Sequence, residues 1–184
     1  MKRKVIAWVG YPASGKSEAS RVAASMGIPV VVMGDIVRKE ARRRGFKEED
    51  VSIGAVAEDL RKNEGMDAIA KRSIPCIMKK EGVVVVDGVR GIAEVDRFRA
   101  EFGNDFFLVA ILSPFKLRFE RMQKRGRGDD GLTEAAFKAR DLREEGWGLR
   151  DAIEASDIVI QNEGDLDAFS KEVYQVLMEM ITDE

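Results

Sequence analysis

The chain has 184 residues, 45% hydrophobic and 35% charged, a length that suits one domain with a buried core and a composition far from that of disordered chains. Thirty-one basic against thirty-three acidic residues leave a formal charge of −2, so no global field draws the chain to nucleic acid or an acidic membrane, and anion binding must be local. The absence of histidine excludes His-based triads, histidine general bases and His-metal sites, and the lone cysteine, Cys76, excludes an internal disulfide. With no charged-then-apolar leader and no long apolar span, a cytoplasmic protein is expected.

Residues 5–9 are a short apolar run closed by Gly10, the pattern of a buried parallel strand. From Ser17 the period changes: Ala19, Val22, Ala23 and Met26 share a helical face, Gly27 supplies a stop and Pro29 prevents continuation. Residues 30–33 make a second apolar run, after which Gly34-Asp35 opens a basic helix that reaches Arg44 and ends at Gly45. Residues 47–81 hold no β-rich run. Their apolar positions (Val51, Ala55, Leu60, Met66, Ile69, Ile77) are spaced for helices, with Gly65 and Pro75 as interruptions, so a helical insert over 46–81 is expected.

Four consecutive valines, 83–86, form a strand ended by Asp87-Gly88, and 106–112 forms another ended by Ser113-Pro114. Arg118, Arg121 and Arg125 follow on one side of a helix, then a glycine-rich charged stretch and a short helix with Arg140 and Arg143. Residues 158–160 are a last strand, and Leu166, Phe169, Val173, Val176, Leu177 and Met180 line a closing helix. Five apolar strands separated by helices predict an α/β fold in three layers: a five-stranded parallel sheet with helices on both faces. The expected organisation is one domain with its core in 1–45, 82–125 and 149–184. Ligands are expected beyond the carboxyl ends of the strands, near Gly10, Asp35, Asp87 and Ser113.

Gly10-Tyr11-Pro12-Ala13-Ser14-Gly15-Lys16-Ser17 fits G-x-x-x-x-G-K-[ST] in full and lies between a strand and an amphipathic helix, where the motif has mechanical meaning. Backbone N–H groups and the helix dipole face phosphates, Lys16 places a point charge on the β and γ oxygens, and the Ser17 hydroxyl is a Mg²⁺ ligand. Lys16 is expected at an exposed helix start. Asp87, at the tip of an apolar strand, is placed to order the same Mg²⁺; the bland alternative is a helix N-cap or turn aspartate.

Met33-Gly34-Asp35-Ile36-Val37-Arg38 resembles the adenylate-kinase segment in which a Gly-Asp pair ends the second strand. By that resemblance Arg38 binds the acceptor phosphate and Asp35 orders the magnesium-water network. Asp87-Gly88-Val89-Arg90 is similar to the family's Asp-Gly-x-Pro-Arg, one residue shorter and without the proline, and the likeness assigns Arg90 to the acceptor. It also implies that Arg121 stacks on the donor adenine and that Arg125 reaches its phosphates. Arg127-x-Asp-Asp followed by Arg140 resembles the short adenylate-kinase lid, so 126–148 is expected to close over the transferring phosphates with Arg127 and Arg140. Asp130-Gly131-Leu132-Thr133, and Ser156 to Asn162 with Gly164 and Leu166, resemble dephospho-coenzyme A kinases. The order of elements and the Gly-Val-Arg-Gly turn most resemble an uncharacterised archaeal group of this P-loop kinase superfamily. The insert departs from the usual monophosphate-binding region.

The resemblance implies an ATP- and Mg²⁺-dependent phosphotransferase with a small-molecule acceptor, a nucleoside monophosphate or a dephospho-coenzyme A-like compound. Two other readings stay open: a regulatory or assembly ATPase using the insert for a protein partner, and RNA binding through 38–44. By charge counting alone each arginine of 118–150 is equally a solvated, ion-paired helix face, and the bland readings of Arg38 and Asp35 are a solvated basic face and a helix N-cap. Nothing in the residues separates a monomer from a homodimer.

Overall fold

The computed structural model describes residues 3–46, 50–125 and 133–182. In chain order the elements are β1 (Lys4–Val9), α1 (Lys16–Ser25), β2 (Val30–Val32), α2 (Met33–Arg43), α3 (Asp50–Glu64), α4 (Ala68–Met78), β3 (Val83–Val89), α5 (Ile92–Phe102), β4 (Phe106–Leu112), α6 (Phe115–Arg125), α7 (Glu134–Glu145), α8 (Leu149–Glu154), β5 (Ile158–Gln161) and α9 (Leu166–Thr182). The five strands form one sheet in the order β2-β3-β1-β4-β5, and each neighbouring pair is parallel.

Alternation along the central strand explains why the runs are apolar throughout. Val5, Ala7 and Val9 point into a core shared with α2, α3, α4, α5 and α8, whereas Ile6 and Trp8 point into a second core with α1 and α9. A strand covered by helices on both faces has no solvent side and so carries no polar alternation.

Three boundaries differ from the sequence reading. The third strand does not stop at Val86 but continues to Val89, because β1 pairs Trp8 with Asp87 and Val9 with Val89, leaving Gly88 at φ 103° as the extra residue of a bulge. The bulge keeps Asp87 inside the strand while turning its tip. The second strand ends at Val32, and Met33, nearly fully buried, already belongs to α2. Pro75 does not interrupt α4; it lies on the helix's exposed side.

Of the segment 126–148, residues 126–132, which include Arg127, lie outside the described residues. The remainder is docked: Phe137 is fully buried against Phe115 and Phe119, and Asp141 and Glu144 of α7 are buried as well.

Candidate functional site

Residues 10–17 join β1 to α1 in a loop that the rest of the chain holds in shape. A Cβ on Gly10 would lie 2.4 Å from the Ile111 carbonyl oxygen, and one on Gly15 2.4 Å from Asn162 Nδ2, so each position requires glycine for space. Ala13, at φ 61°, is the one non-glycine residue with positive φ among the described residues. That conformation costs on the order of 1–2 kcal/mol. Contacts from distant elements hold it: Asn162 Nδ2 donates to the Ser14 carbonyl at 2.8 Å, and Arg118 Nη1 to the Pro12 carbonyl at 3.2 Å.

Lys16 is not exposed. Its side chain folds back so that Nζ donates to the carbonyls of Gly10 and Tyr11 at 2.6 and 2.8 Å, and the residue is only 6% exposed. Burial, and then the cation of Arg90, push its pKa down to about 7 against the opposing pull of Glu144 and Asp87. The lysine is covered because α7 and the β3 tip bring Glu144, Arg140, Asp87 and Arg90 near it, which no local pattern announces.

A cleft of about 570 Å³ opens beside the loop and runs on toward α2, α3 and α4. Lys16, Ser17, Asp87, Arg38, Arg90, Arg121 and Arg140 all line it. Asp87 is 8% exposed, accepts from Ser20 Oγ at 2.9 Å, and starts no helix, since α5 begins at Ile92. Asp35 does not line the cleft or cap α2. Its exposed carboxylate instead accepts from Arg38 Nε and Nη2 at 3.0 and 2.6 Å, which fixes the Arg38 side chain one helical turn away.

Along one side of the cleft runs a chain of largely buried charges, of which the sequence reading singles out only Arg90 and Arg140. Arg61 Nη2 donates to Glu94 Oε1 at 2.8 Å, Glu94 Oε2 accepts the Arg90 backbone N–H at 2.7 Å, and the Arg90 side chain pairs with Glu144. Glu144 also lies 3.5 Å from Arg140 Nε. Burial works to raise the Glu144 pKa, but Arg90, Arg140 and Lys16 together outweigh it and hold the carboxyl below its ordinary range. For Glu94 the balance is reversed, and burial leaves its pKa raised despite Arg61. The one local signal for this network is the spacing of Arg90 and Glu94; Arg61 and Glu144 arrive from separate helices, α3 and α7.

Arg121 donates to Ser113 Oγ at 2.9 Å and to the Asn162 carbonyl at 3.0 Å. It also borders a smaller annex of about 160 Å³ with Gly15, Gly164, Leu166 and Phe169. Arg118 turns inward instead, so the cationic side expected for α6 is divided: Arg118 is 4% exposed and paired with Asp141. The Arg125 side chain lies outside the described residues, as does Arg127.

The sheet order and the phosphate loop at the tip of β1 define a nucleotide-binding domain of P-loop kinase type. A family model described as an AAA domain matches residues 9–138. A UPF0200 protein of Methanosarcina mazei is 54% identical over 175 residues, covering 95% of this chain and 94% of its own. A protein of Archaeoglobus fulgidus described as UPF0200/UPF0201 is 52% identical over 98% of this chain, which spans only 57% of that longer protein. The chain therefore belongs to the archaeal UPF0200 family within the AAA-domain P-loop proteins. Solved structures share the fold at low identity. A gluconokinase from Sinorhizobium meliloti 1021 superposes with TM-score 0.62 at 17% identity over 97% of this chain and 93% of its own. A dephospho-CoA kinase from Campylobacter jejuni gives 0.58 at 17% over 97% and 98%. Among the described residues no helix is long and apolar enough to cross a membrane.

Proposed function

We propose that this chain transfers the γ-phosphoryl group of ATP to a small nucleotide-like acceptor, a nucleoside monophosphate or a dephospho-coenzyme A-like compound. The observation that carries the reading is the continuity of one cleft. Its loop end presents Lys16 and Ser17, and its far end combines Arg38 and Arg90 with the apolar side chains of Val37, Ile53, Ala57 and Ile69. A pure ATPase needs the first end; a two-substrate transferase needs both.

In this reading the N–H groups of residues 13–17 cradle the donor phosphates, and Lys16 exchanges the carbonyls of Gly10 and Tyr11 for β and γ oxygens. The annex beside Arg121 takes the base, with the guanidinium plane stacked on it. Ser17 and Asp87 would hold Mg²⁺. Among the described residues no group of three or more acidic or cysteine side chains forms a metal cage, which fits an ion bound mostly through water and substrate phosphates. When bound, the ion neutralises the donor phosphates. Arg38, oriented by Asp35, and Arg90, held by Glu144, bind the acceptor, while Arg140, with Arg125 and Arg127, stabilises the transferring group. Catalysis is then positioning and charge, with no dedicated general base.

The test is a transfer screen with γ-labelled ATP over nucleoside monophosphates and dephospho-coenzyme A. One acceptor should accelerate turnover and carry the label. Hydrolysis indifferent to every acceptor would favour the ATPase reading instead.

A further inference from the structure

Four arginines face the acceptor half of the cleft: Arg38, Arg61, Arg90 and Arg143. Three of them are neutralised by a carboxylate, Arg38 by Asp35, Arg61 by Glu94 and Arg90 by Glu144. Arg143 is the exception. Among the described residues it forms no ion pair and no hydrogen bond, and its Nε is buried without a partner. Its Nε is thus a buried donor left without an acceptor, which is costly unless something else supplies one.

Its neighbours place it rather than neutralise it. The guanidinium carbon lies 5.7 Å from the centroid of the Trp147 ring, and the same ring carries Arg61 at 4.1 Å. On α3 it lies against Gly54, where an added Cβ would come within 3.3 Å of the guanidinium carbon and Nη1. Glycine inside a helix costs about 0.5–1 kcal/mol relative to alanine, so α3 gains nothing locally from Gly54. The bare backbone is explained by the arginine lying on it. Trp147 and Gly54 thus hold an unpaired cation at the wall of a partly apolar chamber whose other three arginines each have a carboxylate partner.

We propose that Arg143 is the anchor for an anionic group of the acceptor, and that the acceptor is a phosphate ester whose flat or apolar body packs beside Trp147, Ile53 and Ala57. The inference rests on the kinase reading for the word acceptor, but the anion site itself does not require transfer to occur. A planar fork binds two phosphate oxygens at once, which a lysine cannot reproduce, and the Gly54 backbone on one side and the Trp147 ring nearby limit where the guanidinium can lie before the ligand arrives.

Calorimetric titrations of the full chain with AMP and with dephospho-coenzyme A, each with and without ADP and Mg²⁺, test this, with adenosine as the uncharged comparison. At least one of the two esters should bind more tightly than adenosine. Arg143→Met should weaken that ester roughly tenfold or more, and Arg143→Lys should restore only part of the loss, while ADP binding is unchanged. Gly54→Ala, whose Cβ would press on the guanidinium at 3.3 Å, should weaken the same ester several-fold while leaving ADP binding unchanged, which a merely structural arginine would not produce. Equal ester binding by wild type and Arg143→Met overturns the proposal, as does failure of both esters to bind the wild-type chain. Failure of ADP alone to bind would instead overturn the donor reading and leave the ester result to decide the anion site.

Discussion

The guanidinium of Arg118 lies against the carboxylate of Asp141 with two parallel bonds, Nη1 to Oδ1 at 3.0 Å and Nη2 to Oδ2 at 2.7 Å, joining α6 to α7 under the phosphate loop. The same Nη1 reaches the Pro12 carbonyl, and the guanidinium carbon lies 4.8 Å from the Tyr11 ring centroid. The pair therefore braces the loop from below while α7 brings Arg140 and Glu144 to its upper side.

Breaking this pair should be costly. The side chains are only 5% and 12% exposed, so Arg118→Met leaves a buried carboxylate without its partner and should destabilise the chain by about 3–5 kcal/mol. The double replacement Arg118→Met with Asp141→Leu removes both charges and should recover much of that loss. Urea unfolding of the wild type and the two variants measures the difference. Equal stability of single and double variants would show that the Asp141 charge is solvated.

Lys16→Met should abolish phosphoryl transfer, by more than roughly a hundredfold if its charge acts as strongly as a typical preorganised donor. Stability should move the other way or not at all, because the burial that lowers the Lys16 pKa to about 7 is a cost of charging the site in the folded chain. Transfer assays paired with thermal melts check both halves. Near-normal transfer in the variant removes the loop lysine from the mechanism.

Asp87→Asn should shift the Mg²⁺ dependence of turnover while leaving the melting temperature nearly unchanged. Asparagine's carbonyl oxygen still accepts from Ser20, whose Oγ is 2.9 Å from Asp87 Oδ2, but the negative charge is gone. Magnesium titrations of both proteins give the comparison; superimposable curves would confine Asp87 to holding Ser20.

Glu40 sets an acid limb of stability. Hydrogen bonds from Arg43 and Arg44 lower its pKa from 4.5 to about 2, and Arg72 approaches at 3.5 Å. A carboxyl depressed in the folded chain contributes stability that is fully present above about pH 4.5 and lost as pH falls through about 2. Glu40→Gln should lower the melting temperature by a few degrees at pH 7, and the gap from wild type should close between those two values. A gap independent of pH would mean that shape rather than charge is lost.

The sheet and the loop were legible because their signals are local. Buried parallel strands show as unbroken apolar runs, and the phosphate loop shows as a spaced glycine-lysine motif, although the crowding at Gly10 and Gly15 comes from Ile111 and Asn162 far along the chain. The ends of elements were less so: the Gly88 bulge extends β3 past Asp87 because of a register on β1, seventy-nine residues away at Trp8. The helix α5, whose Val95 and Phe98 are fully buried, enters the sequence reading only as an unnamed helical segment between two strands, since its apolar positions are interleaved with five charged ones.

From the sequence alone came the residue types that chemistry can use, and the rule that strand tips gather them. Only the tertiary structure decided which charges are spent on one another. Arg118 and Arg121 look alike on α6, yet Asp141 claims the first and leaves the second at the cleft. Arg90 and Arg143 look alike as well, yet Glu144 claims the first and nothing among the described residues claims the second. Pairing is a matter of distances between elements far apart in the chain, and a charge's availability to a ligand depends on the partner that reaches it, which no local pattern encodes.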